Sequence, residues 1–138
     1  MAISRQPSRD GLVDFVQLTV EMIGGAGGAH YLGGTLPDLL EPAHHPRHRQ
    51  LAHSYCTAAL ITNAATALLR WQDHWRAKGN RLMSASDNEV RLLDRITLIV
   101  RAIVCWMMAG ATIGVPFGYL THLVQDSQTR AGLPLLGL

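Results

Sequence analysis

Between residues 96 and 120 the chain carries one formal charge, Arg101. A helix of 25 residues is about 37 Å long at 1.5 Å per residue, enough to cross a hydrocarbon layer of about 30 Å. The run therefore has two outcomes: it spans lipid, or it forms the central buried helix pair of a globular core. Gly110, Gly114 and Pro116 lie inside it and predict a bend between two packed helices. Pro116 is then the first residue of a short second helix. Composition favours the membrane outcome, because 48% of the residues are hydrophobic and only 16% charged, against roughly 25% charged in soluble domains.

The remainder reads as helix throughout. Residues 1–8 are polar and form a loose tail. Ser8 or Asp10 caps a helix with Leu12, Phe15, Val16, Val20 and Ile23 on one face. The glycine run at 24–28 is expected to break or thin that helix. It lacks the Lys-Ser/Thr ending of a phosphate-binding loop, so close helix packing through small residues is its expected role. Pro37, Pro42 and Pro46 predict a loop over 36–47. A long helix is expected from near Leu51 to Lys78, stopped by Gly79 and Asn80. Ser86 and Glu89 fit a capping box opening the next helix. No strand alternation is present, so the fold class is all-α: a single domain over 1–138, a compact bundle of about four to five helices, partly membrane-embedded or membrane-associated.

Net charge is +2 with histidines neutral, and no basic run is interleaved with aromatics, so no nucleic-acid partner is expected. Membrane lipid is the expected partner. Cys56 and Cys105 are far apart and read as free thiols buried on helices. The amino terminus does not read as a signal peptide, since Asp14 and Glu21 break its apolar run.

Against this apolar background a few ionisable groups stand out. His122 and Asp126 are four apart on an expected helix and share a face, a platform for a borderline metal such as zinc. His48 and His53 are five apart, which on one helix splays them by roughly 140°; they converge if His48 precedes the helix. Asp38 follows Pro37 in an expected turn. Each residue alone has an ordinary reading, such as a hydrogen-bonded His–Asp pair. Together, Asp38, His48, His53, His122 and Asp126 are charged groups needing partners, and one divalent metal satisfies all five. His44, His45 and His74 are expected at the surface.

Gly33-x-x-Leu36-Pro37-Asp38, His48-Arg49-x-x-x-His53-Ser54, Gly118-Tyr119-Leu120-x-His122-x-x-x-Asp126, then Thr129 and Gly132-Leu133-Pro134 occur in that order. The set resembles the YdjM-like family of bacterial membrane-bound, metal-dependent hydrolases. That family is in turn remotely similar to the all-helical zinc-dependent phospholipase C enzymes. The resemblance implies an inner-membrane or membrane-associated location, with a cytoplasmic one as alternative. It implies Asp38, His48, His53, His122 and Asp126 as ligands of a divalent metal, zinc or manganese, and a phosphoester or phospholipid-like substrate. Arg49 would clamp a phosphate, and Glu41 or Asp38 would be the general base. The sequence departs from the family's Pro-Asp-x-Asp pattern, because Leu40 stands at the second acid with Glu41 one step later. The rival reading is a non-catalytic membrane or interaction protein with a structural or degenerate metal site.

Overall fold

The computed structural model describes residues 7–42, 51–129 and 133–134. These are all-helical, with no strand among the described residues. In chain order they form α1 (Pro7–Thr19), a π-helical segment (Val20–Gly27), α2 (Gly28–Leu40), α3 (Tyr55–Asn63), α4 (Ala65–Asp87) and α5 (Leu92–Ser127). Because α1, the π segment and α2 join end to end, and α3 and α4 meet at Ala64, the elements make three long rods. The first and third run parallel and the second runs antiparallel to both, as the pairing of Gly25 with Gly110, of Gly33 with Val115 and of Gly79 with Ala102 and Trp106 requires.

Several local expectations are corrected by packing. The glycine run does not break the helix but is its π-helical stretch. Backbone this flexible is normally a weak helix, yet here its flatness lets α5 approach. A methyl on Gly25 would meet the Met107 carbonyl and the Gly110 Cα, and one on Gly110 would run into the Glu21 carbonyl. Gly33, Gly114 and Gly118 are likewise closed against the facing backbone. Pro37 does not end α2, which continues to Leu40. Its ring is fully buried, and the Glu41 N–H closes the last turn on the Pro37 carbonyl at 2.9 Å. Asp38 therefore sits on a helix rather than in a turn.

The predicted stop at Gly79 and Asn80 is instead the seat of a buried tryptophan. Trp106 is fully buried. Its ring lies where a Cβ on Gly79 would fall, 2.6 Å away, and its Nε1–H donates to Asn80 Oδ1 at 2.8 Å. Tertiary contact thus carries α4 through a local helix breaker to Asp87. Ser86 does not cap the next helix: it ends α4, donating its hydroxyl to the Met83 carbonyl. Glu89 instead accepts the backbone N–H groups of Val90 and Arg91, just ahead of α5. α5 itself runs unbroken for 36 residues through Gly110, Gly114 and Pro116, so the expected division into two helices, with a short terminal one, is not found. The helix is long and apolar enough to cross a membrane. Pro7 and Ser8 already belong to α1, and of the two cysteines Cys105 is buried while Cys56 is half-buried.

One ion pair ties the first rod to the second. Arg76 grips the buried Glu21 with Nε and Nη2, at 2.7–3.1 Å, and Gln17 donates to the same carboxylate. The hydrogen bond to Glu21 raises the Arg76 pKa above its ordinary value, outweighing the opposite pull of burial.

The glycine contacts separate two kinds of substitution. Gly110→Ala must push the first rod off α5 and is expected to destabilise by about 1–3 kcal/mol, as overpacking does. Gly28→Ala meets nothing within 4 Å and is expected to stabilise by about 0.5–1 kcal/mol through helix propensity. Thermal unfolding of the two variants in the same detergent checks the opposite signs.

Candidate metal centre

The centre lies at one end of the three rods, where α2 ends, α3 begins and α5 ends. α2 supplies Asp38 and, at its C-cap, Glu41. The turn before α3 supplies His53. α5 supplies His122 and Asp126, one helical turn apart and so on one face. The parallel packing of α2 on α5 brings the first and last of these elements together.

His53 is the most tightly held of the set, with no exposed surface. Ser54 N-caps α3, accepting the Thr57 N–H at 3.2 Å and donating to the Leu51 carbonyl at 2.7 Å. The Ala52 N–H donates to Glu41 Oε1 at 2.8 Å, and the Tyr119 hydroxyl donates to the Ala52 carbonyl at 2.7 Å. The backbone just before His53 is therefore fixed from α2 and α5 at once, while Ser54 after it is held by Leu51 and Thr57. The second oxygen of Glu41 lies 3.1 Å from His53 Nδ1. A proton on Nδ1 satisfies that carboxylate and leaves the Nε2 lone pair facing the centre, the arrangement that metal-binding histidines take with an outer carboxylate.

His53 Nε2 then looks at two more carboxylate oxygens, Asp38 Oδ1 at 3.2 Å and Asp126 Oδ2 at 3.6 Å. His122 Nε2 looks at the same two atoms, at 3.6 Å and 3.4 Å. The imidazole rings stand edge to face, 5.4 Å between centroids. His122 Nε2 is buried and makes no hydrogen bond among the described residues. His53 Nε2 hydrogen-bonds Asp38 Oδ1 when it carries the proton; with the proton on Nδ1 instead, its lone pair faces carboxylate oxygens, an arrangement that a cation between the groups would satisfy. One donor atom each from Asp38, His53 and His122 lie within 4.8 Å of one another, a spacing that could hold a metal ion.

Size gives an independent test of fit. A tetrahedral zinc ion with ligand bonds of about 2.1 Å separates its ligand atoms by about 3.4 Å. The four nitrogen–oxygen separations, from 3.2 to 3.6 Å, are close to that edge, and the group whose donor atoms all lie within 4.8 Å of one another is Asp38, His53 and His122, without Asp126. Two imidazoles and two carboxylates suit zinc and also manganese. The centre is walled on three sides: the His53, His122 and Asp126 side chains are 0%, 17% and 11% exposed, whereas that of Asp38 is 60% exposed. Asp38 thus marks the open side, next to a cleft of about 240 Å³ lined by residues including His30, Tyr31, Thr35, Thr121, His122 and Gln125.

Of the residues singled out in the sequence, Asp38, His53, His122 and Asp126 come together. Glu41 joins them through His53. His48 and Arg49, with His44 and His45, lie outside the described residues. His74 is exposed against Trp75, 5.7 Å away. His30 packs against Phe117 with the rings tilted, 5.6 Å between centroids, beside the cleft. Thr129 closes the chain onto the Asp126 carbonyl through both its N–H and its hydroxyl. The residue that sequence reasoning passed over is Tyr119. It stood inside the Gly-Tyr-Leu motif, but nothing in the spacing revealed that its hydroxyl reaches a turn 67 positions away.

The outer carboxylate yields a test. Glu41→Gln keeps the shape but weakens the hold on His53 Nδ1–H, and is expected to lower zinc affinity about 10–100-fold. Thr121→Ala, on the neighbouring cleft wall, should leave affinity unchanged. Competition against a chromophoric chelator reads both.

The family model described as YdjM inner membrane protein matches residues 19–137, a span that takes in the first rod from Thr19 onward, the other two rods and every residue of the centre. No curated protein and no solved structure matches the chain. The chain therefore belongs to the YdjM inner membrane protein family and is an inner-membrane protein.

Proposed function

We propose that this chain is a metal-dependent hydrolase of phosphoester bonds, with a divalent ion, zinc or manganese, held by Asp38, His53, His122 and Asp126. The observation that carries the reading is the convergence of two imidazole nitrogens and two carboxylate oxygens around an open side. Structural zinc sites are closed by four ligands and often rich in cysteine. Here neither cysteine is among the grouped ligands, and the exposed Asp38 leaves a way in.

When bound, such an ion lowers the pKa of a coordinated water toward neutrality and polarises the scissile group. The chain's own residues supply the rest. Glu41, engaged with His53 Nδ1 and the Ala52 N–H, acts as a positioning residue that fixes the His53 ring. With Asp38 Oδ1 turned toward the two imidazoles, proton transfer would fall to its other oxygen, Oδ2, on the open side. Asp126 and His122 hold the inner wall, and the cleft beside His122 admits the substrate. Arg49, by its place in the His48-Arg49 motif, would clamp the phosphate, with His48 as a further ligand. A lipid-like phosphoester suits an enzyme resident in a membrane.

Zinc-loaded protein in detergent micelles is expected to hydrolyse bis(p-nitrophenyl) phosphate or a phospholipid, and His122→Ala should abolish turnover with helical content by circular dichroism unchanged. Wild-type protein that binds zinc yet turns over neither substrate, with Leu40→Asp equally silent, would contradict the assignment. Activity restored by Leu40→Asp alone would mark the chain as a degenerate hydrolase.

A further inference from the structure

We infer that all three rods, and not α5 alone, cross the bilayer, and that the metal centre opens on the periplasmic face. The inference is independent of whether the centre turns over a substrate.

Each rod contains a stretch with no Asp, Glu, Lys or Arg: residues 22–37 in the first, 54–69 in the second and 102–125 in the third. The packing sets these side by side, since Gly25 and Gly33 face Gly110 and Val115. Ile61, Ala65 and Leu68 line a shared apolar groove with Ile113, Phe117 and Leu120. The result is a charge-free belt around the bundle. Its lower edge is the Glu21–Arg76 ion pair and its upper edge is the metal centre. Along the first rod the belt is about 24 Å tall at 1.5 Å per residue, and along α5 about 36 Å, bracketing a hydrocarbon thickness of about 30 Å. Arg70, on α4 between the charge-free stretch and Arg76, sits at that lower margin, where a long side chain reaches toward the headgroups.

The belt's surface is predominantly apolar. Ile23, Tyr31, Leu32, Leu60, Leu69 and Phe117 are each more than half exposed. So large an apolar surface is not left to water. Its interior is built from glycine and alanine, with the backbones of α2 and α5 in contact, the packing used by helices that already sit in lipid. Acyl chains are the occupant that this ring, its height and the family's inner-membrane location fit together.

Orientation follows from the basic residues. Of the 12 Lys and Arg residues, only Arg47, Arg49 and Arg130 fall in sequence at the end of the rods that carries the centre. Arg76, Lys78 and Arg81 on α4 and Arg91, Arg95 and Arg101 around the start of α5 lie at or beyond the opposite edge. Lys and Arg are retained on the cytoplasmic side. The α4–α5 connection is therefore cytoplasmic, and Asp38, His53 and His122 face the periplasm.

The test uses the full chain in cells, with Cys56→Ser to remove the half-buried thiol. Asp14→Cys, Pro42→Cys, Asn88→Cys and Gln128→Cys are introduced one at a time, all at exposed positions outside the centre. After the outer membrane is permeabilised, a membrane-impermeant maleimide is expected to label the Pro42 and Gln128 variants in intact cells, and the Asp14 and Asn88 variants only after lysis. The reverse pattern would overturn the orientation. Labelling of all four before lysis, or of all four only after it, would overturn the three crossings.

Discussion

The structure depends on how closely α2 and α5 approach each other. Gly33 and Gly118 leave no room for a Cβ against the Val115 and His30 carbonyls, so the two backbones touch along a parallel seam. That seam fixes the height of α2 relative to α5, and with it the position of Asp38 beside His122. A shift of one residue along a helix moves a side chain by 1.5 Å and turns it by about 100°, which would take Asp38 out of reach. The glycines at mid-rod and the ligands at the rod end are parts of one geometric constraint.

A second constraint operates at the centre itself. His53 is not on a long helix but in the short turn before α3, where precision has to be supplied by neighbours. Glu41 from the first rod and Tyr119 from the third both hold the Ala52 backbone just ahead of the ring, and Glu41 also lies 3.1 Å from its Nδ1. All three rods thus meet in one residue. A site so placed registers the assembly of the whole bundle, because separating any rod removes either a ligand or the group that aims one.

The all-α class and the long apolar run were legible in the sequence because both rest on composition and on the absence of strand alternation. The pairing of His122 with Asp126 was legible because it rests on one helical turn. Helix boundaries were not. Gly79, Pro37, Gly110 and Pro116 are breakers by local propensity, yet each lies inside a helix because a neighbour needs it there. Trp106 fills the notch at Gly79, and the first rod closes on Gly110. Glu41 was legible as an acid near the site but not as the partner of His53 Nδ1, since that contact depends on a turn whose shape comes from Ser54 and Tyr119. The likeness of residues 33–54 and 118–136 to a membrane family was legible from four ordered motifs, and residues 19–137 match that family.

The central claim is that Asp38, His53, His122 and Asp126 form one metal site. X-ray absorption on zinc-loaded, detergent-purified protein tests it most directly. One zinc per chain is expected, in a nitrogen and oxygen shell at about 2.0–2.1 Å with outer scattering from imidazole, and lost in the His53→Ala, His122→Ala double variant. Zinc content no higher in the wild type than in that variant, or a shell containing sulfur, would contradict the account.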